Sequence, residues 1–192
     1  MKRKIAFYTV NPSYCEYLRQ FDPRVLINYN GKESRPFIGI VLKIENFNYY
    51  APLTSPKPKH LSMKNSKDFI KIKDGLLGGI NLNNMIPIHK SCLTMVDFKL
   101  YDSDSEAEIK QKKLMFKQWM WCNSNVDRII KNSKNLYRTI TTDTNGNNSL
   151  AARCCDFKLL EEKYLEYCKL NNLTIPQKSS LDQRIKKAEK LR

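Results

Sequence analysis

No apolar run in this chain approaches the ~20 residues that a membrane-spanning helix needs. The basic start Met1-Lys2-Arg3-Lys4 is followed only by the short apolar run Ile5–Val10, with no small-residue cleavage pattern. A secretory signal is therefore not expected, and the chain reads as cytoplasmic. Six cysteines are present, but none forms a Cys-x-x-Cys pair, and Cys154 and Cys155 are adjacent. That excludes a zinc ribbon and a secreted disulfide framework. His89-x-x-Cys92 lacks a second ligand pair, so neither a metal nor a cofactor is expected. A Gly-x-Ser-x-Gly elbow is missing, and Gly75-Leu76-Leu77-Gly78-Gly79 lacks the Gly-Lys-Ser/Thr ending of a phosphate loop. Neither an internal repeat nor helix-turn-helix spacing is visible.

Negative charge is also scarce. Lysine and arginine number 34 against 19 acidic residues, a net charge of +15. Residues 178–192 hold six of the basic and two of the acidic groups; without them the chain still carries +11. The basicity thus belongs to the body of the protein. Such a surface suits a polyphosphate partner, because neutralising phosphates releases their counterions. Aromatic residues make up 10% of the chain and can serve as stacking platforms. Nucleic acid, RNA above all, is the expected partner.

The length of 192 residues fits one domain, read here as 1–170, followed by a basic extension, 171–192. Residues 4–10 read as a strand. Asn11-Pro12 then caps and opens a helix running to about Phe21, which Asp22-Pro23 stops. Two apolar runs, Phe37–Ile44 and Phe47–Leu53, flank Glu45-Asn46 and predict a β-hairpin. Short strands follow at Phe69–Ile72, Ile80–Leu82, Met85–Ile88 and Leu93–Phe98, with Pro87 better placed at an edge. One long helix is expected over about 106–131, with Met115, Trp119, Cys122, Val126, Ile129 and Ile130 on its apolar face. Asp156 caps another helix, 157–170, and Leu181, Ile185, Ala188 and Leu191 fit the stripe of a terminal one. The fold class is α+β: a small, strongly bent antiparallel sheet or barrel with helices around it.

The hairpin delivers Thr54, Ser55 and Lys57 onto a proline-stiffened loop directly off a strand. Two hydroxyls and a cation held at one rigid spot can grip a phosphate. The loop they open, 55–68, carries Lys57, Lys59, Lys64 and Lys67 against one acid, Asp68. Lys59, His60, Lys64 and Lys67 are candidate RNA-binding residues, and an acid–base role for His60 stays open. RNA can be cut without a metal, by attack of its 2′-hydroxyl on the adjacent phosphorus. An enzyme doing so must align the attack, stabilise charge on the phosphoryl oxygens and manage two protons. No acidic cluster looks arranged for Mg²⁺, since Asp102, Asp104 and Glu106 read as a helix start. The same surface would also serve a non-catalytic RNA-binding module.

The segments FYTV and NPSYCEYL near the start, RPFIGIVL, YYAPLTSPKPKH, GGINLNNMIPI and DFKLLEEKY occur in this order along residues 5–168. Together they resemble the ToxN/AbiQ toxins of type III toxin–antitoxin and abortive-infection systems. The resemblance implies a metal-independent endoribonuclease with a bent β core similar to Kid/MazF-type toxins. It implies products with 2′,3′-cyclic phosphate and 5′-hydroxyl ends. It also implies an antitoxin that is a small structured RNA, processed from a tandem-repeat transcript and closed with the toxin into cyclic assemblies. Carried over position by position, it places Tyr14, Thr54, Ser55 and Lys57 in the catalytic cleft. Arg35 stands where relatives often carry lysine. An arginine stays protonated, so charge stabilisation is its expected role.

Overall fold

Asn11 accepts a hydrogen bond from the Ser13 backbone N–H (2.9 Å) and so caps the turn between the first strand and the first helix. The strand is β1 (Ala6–Val10) and the helix α1 (Pro12–Arg19), with Pro12 in its first turn. The computed structural model describes residues 4–28, 35–142 and 149–175. The predicted terminal helix lies outside these residues. The chain just past Leu170 continues along the body: Leu173 and Ile175 pack against the core, and the Leu173 N–H donates to the Cys168 carbonyl (2.8 Å).

The hairpin pairs β2 (Phe37–Ile44) with β3 (Phe47–Thr54) across the predicted turn, where Glu45 takes the left-handed conformation (φ 49°). Both strands are buried along nearly their whole length, as strands covered on both faces are. The remaining strands are β4 (Phe69–Lys71), β5 (Gly79–Asn81), β6 (Ile86–Pro87) and β7 (Leu93–Met95). Every pairing is antiparallel, in the order β4-β5-β3-β2-β1-β7, with β6 also on β3. Among the described residues the sheet ends at β4 and β7 and does not close, so the barrel alternative gives way to an open, bent sheet. One edge of β3 is shared: β6 pairs with Tyr49 and Tyr50, while β5 takes Leu53 and Thr54. The end of β3 that leads into the Thr54–Lys57 loop is thereby paired on both sides, to β2 and to β5.

The long helix predicted over 106–131 is two helices, α3 (Glu106–Ser124) and α4 (Val126–Thr141). Ser105 and Glu108 form a capping box that starts α3. The break at Asn125 follows from side chains that compete with the backbone. Asn125 donates to the Trp121 carbonyl (2.9 Å), and the Asn123 side chain, besides donating to the Trp119 carbonyl, accepts from the Ile5 N–H and donates to the Ile5 carbonyl (3.0 Å each). The apolar stripe runs on from Cys122 through Val126 and Ile129, so its spacing alone does not reveal the bend. Helix α5 (Phe157–Leu170) begins where predicted, with Asp156 accepting from the Leu159 N–H (3.0 Å). The loop after β3 contains a helical turn that the sequence reading missed, α2 (Pro58–Ser62), too short to show periodicity.

Candidate active site

The end of β3 opens into a cleft of about 1180 Å³. Thr54, Ser55, Lys57, Lys59 and His60 line it from the β3 end and α2, and Arg35 and Pro36 from the segment just before β2. The other walls come from β4 and β5, from the start and middle of α3, and from Arg153.

The loop that carries Ser55 and Lys57 is held by its main chain. The His60 N–H donates to the Lys57 carbonyl (2.9 Å), and the Met63 N–H to the Lys59 carbonyl (3.0 Å). Lys71, on β4, donates to the carbonyls of Met63 (3.1 Å) and Leu61 (3.3 Å) and ties down the far end of α2. Beneath the loop run the glycines of GLLGG. Gly78 has φ +89°, and a Cβ there would lie 2.0 Å from the Thr54 carbonyl oxygen; at Gly75 (φ +97°) it would lie 2.4 Å from that of His60. These glycines are therefore not a phosphate loop but the seat on which the Thr54–His60 segment rests. Among the described residues, neither the Ser55 hydroxyl nor the Lys57 ammonium is spent on a protein hydrogen bond or ion pair, and both residues are exposed. Thr54 is half-buried, with only a long contact (3.5 Å) to the Ser55 carbonyl.

Arg35 is half-buried and donates through Nη1 to the Ile27 carbonyl (2.6 Å). Burial lowers its pKa from the ordinary arginine value, and nearby Cys15 works in the opposite direction. His60 is 2% exposed, its ring tilted against Phe69 at 5.3 Å, and its Nδ1 is buried without a hydrogen-bond partner. Its pKa is lowered first by burial, then by Lys57, Lys59 and Lys71. Burial and this cluster of cations both disfavour the protonated imidazole.

The cleft does not gather every expected residue. Lys64 and Lys67 are exposed on the adjoining loop but do not line it. Tyr14 does not reach it either. Its side chain is fully buried on α1, its hydroxyl donates to the Pro87 carbonyl (2.6 Å), and its ring meets Tyr167 edge-on at 4.8 Å. Burial, with Cys92 and Tyr164 nearby, raises the Tyr14 pKa well above the usual tyrosine range. Conversely, sequence reasoning missed Asn83, Arg153 and the α3 residues Lys110 and Gln111 in the wall, and saw in Asp68 only the loop's single acid. No local signal marks them, because they meet across separations such as the 85 residues between Asp68 and Arg153. The candidate metal pair is engaged otherwise: His89 bonds Ser91 (2.8 Å) and the Thr174 carbonyl (3.1 Å), and Cys92 contacts Tyr167.

The sequence profile of the family described as Toxin ToxN, type III toxin-antitoxin system, matches residues 6–165. Endoribonuclease ToxN of Pectobacterium atrosepticum is 34% identical over 86% of this chain and 95% of that protein. Endoribonuclease ToxN of Bacillus thuringiensis subsp. kurstaki is 30% identical over 84% of this chain and 83% of that protein. A solved structure from work on selective toxin inhibition by a non-coding RNA pseudoknot superposes with TM-score 0.73 at 30% identity, covering 86% of this chain and 98% of that one. The structure of AbiQ, a lactococcal anti-phage endoribonuclease of a type III toxin–antitoxin system, gives TM-score 0.72 at 29% identity, over 87% of this chain and 99% of that one. A match this long, in sequence and in fold, means that the chain belongs to the ToxN family of type III toxins.

Proposed function

We propose that this protein is the endoribonuclease toxin of a type III toxin–antitoxin system with a role in phage defence, and that it cuts RNA without a metal ion. The observation that carries the reading is the pair of unspent groups, the Ser55 hydroxyl and the Lys57 ammonium, fixed at a braced strand end inside a basic cleft. The names of its relatives, endoribonucleases ToxN and AbiQ, support the reaction class.

In this reading a phosphodiester of single-stranded RNA lies across the end of β3. The ribose 2′-oxygen attacks phosphorus and the bond to the 5′-oxygen breaks, leaving a 2′,3′-cyclic phosphate and a 5′-hydroxyl. Lys57 and Arg35 stabilise the charge that grows on the phosphoryl oxygens, a task for preorganised donors in a partly enclosed site. Ser55 and Thr54 donate hydrogen bonds that align the link for attack. Lys59 holds the flanking backbone at the mouth of the cleft, and Lys64 and Lys67 extend that contact along the loop. Tyr14 is assigned a supporting role, since its proton is committed to the Pro87 carbonyl. The antitoxin is a small structured RNA, processed from a tandem-repeat transcript, that occupies the same cleft; toxin and RNA close into a cyclic assembly in the cytoplasm.

The test is cleavage of a short RNA followed by analysis of product ends. Lys57→Ala and Ser55→Ala are each expected to lower the rate at least a hundredfold while the folded spectrum is kept, and EDTA to leave the wild-type rate unchanged. RNA that stays intact with the wild-type protein under all conditions would identify a binding module instead. Wild-type rates in both variants would place the chemistry elsewhere.

A further inference from the structure

Helix α5 does not release the chain into solvent. Asn172 turns it back in the left-handed conformation (φ 52°), and the Leu173 N–H closes the turn on the Cys168 carbonyl (2.8 Å). Leu173 and Ile175 then pack against the core. His89 Nδ1 accepts from the Ser91 N–H (3.3 Å), so Nε2 carries the proton and donates to the Thr174 carbonyl (3.1 Å). This strap, 171–175, brings the chain close to the start of β7, where a groove of about 410 Å³ is lined by Thr9, Asn11, Ser91 and Thr94. Residues 176–192 follow from that point.

Two features stand at the other end of β7. The first is apolar: Leu100, Tyr101, Phe116 and Met120 are each 44–53% exposed. They share one surface. The Phe98 ring meets Phe116 (6.1 Å), Met120 lies one turn further along α3, and Lys112, one turn before Phe116, stands 4.9 Å from the Tyr101 ring. Exposed apolar surface of this kind marks a contact. Beside it β7 pairs only with β1 among the described residues, and an open strand edge is usually covered. The second feature is charge. Residues 97–108 carry five acids against Lys99 alone, in a chain of net charge +15. Asp104 is paired with Lys112 (2.7 Å), but among the described residues the side chains of Asp102 and Glu106 have no partner, and both residues are exposed.

We infer that residues 178–192 of the same chain cover this surface, running past the open edge of β7 and docking on the apolar face around Phe116. Leu181, Ile185, Ala188 and Leu191 recur at helical spacing and supply the apolar stripe. Six basic groups against two acidic ones in 178–192 oppose the acids of 97–108. The reach is sufficient: the six residues 176–181 span about 20 Å when extended, as does the run from Leu93 to Phe98. The tether also decides between occupants. It holds the segment at an effective concentration of about millimolar, which a separate molecule rarely reaches. The phosphates of an RNA are repelled by the acids, and the body of a second copy repels the first through its own net positive charge. The docked segment would fasten the β7 edge and α3 to the end of α5, on a face that the cleft does not use.

The experiment uses the full chain, with a photoreactive benzophenone side chain in place of Met120, as an equal mixture of isotopically light and heavy protein. Irradiation followed by peptide mass spectrometry is expected to join position 120 to residues 178–192, light to light and heavy to heavy. Leu181→Asp with Ile185→Asp removes the stripe outside the folded body, and Asp102→Lys with Glu106→Lys reverses the charge beneath it. Each pair is expected to lower the crosslink yield at least threefold. The first pair should also raise deuterium uptake at 93–101 and 112–120 at least fivefold, with the uptake of β2 and β3 unchanged as the sign of an intact fold. Crosslinks that join light to heavy chains would make a second copy the occupant and overturn the inference. Crosslinks to other parts of the chain, or a yield unchanged in either pair, also overturn it.

Discussion

His60 shows how a single side chain couples the site to the fold. Its ring is buried against Phe69, it lies beside Lys57, Lys59 and Lys71, and its Nδ1 has no protein partner. Burial and the neighbouring cations both disfavour the imidazolium, so the folded protein binds its proton more weakly than the unfolded chain does. Stability from this residue is therefore complete above the unfolded pKa of about 6.5 and is lost as pH falls from there through the lower folded value. The expected outcome is a urea-unfolding free energy that drops between pH 7.5 and pH 5, with a clearly shallower drop in His60→Asn. An equal drop in both proteins would assign the acid sensitivity to other groups. Arg35 behaves differently: burial lowers its pKa, but an arginine stays charged throughout this range. It can contribute charge to the cleft and not a proton.

At the scale of elements, the decisive arrangement is the β3 end resting on the turn between β4 and β5. Gly78 is left-handed, and any Cβ there would run into the Thr54 carbonyl. Gly78→Ala is expected to cost about 2 kcal/mol or more, the sum of strained backbone and steric displacement, and to lower RNA cleavage further than the stability loss alone explains. Denaturant unfolding and a cleavage assay below the unfolding transition check the two effects separately. The element that delivers the site was legible in the chain. The runs Phe37–Ile44 and Phe47–Leu53 could only pair across Glu45-Asn46, and Ser55 and Lys57 had to follow. What could not be read depended on distant partners. The bend at Asn125 lies beside Asn123, whose side chain bonds Ile5, 118 residues away. The burial of Tyr14 is decided by the Pro87 carbonyl, 73 residues on, and by Tyr167. A helical turn as short as Pro58–Ser62 has too few residues for any period to show.

Over the whole molecule, folding sharpens the charge asymmetry that the composition announces. Asp22, Asp68 and Glu161 are buried, whereas no lysine or arginine among the described residues is. Each of these carboxylates is matched by a cation that stays at least partly in solvent: Arg24, Arg153 and Lys158. Glu161 also accepts hydrogen bonds from Tyr49 (2.8 Å) and Tyr137 (2.6 Å) and so fastens β3, α4 and α5 together. Three of the 19 acids are thus drawn inward, each beside a cation, and the surface keeps the excess of basic groups that the net charge of +15 describes. An RNA that neutralises such a surface releases counterions in proportion to the phosphates contacted. Binding of an oligonucleotide blocked at the cut by a 2′-deoxy residue is therefore expected to weaken by about three-hundredfold between 50 and 200 mM salt, as for about six phosphate contacts on a single strand. Because +11 of the charge lies before residue 178, a chain ending at Gln177 retains Thr174 and Ile175 against the body and should keep more than half of the logarithmic salt slope. A slope that vanishes with the truncation would move the RNA-binding surface to the terminal segment and away from the cleft.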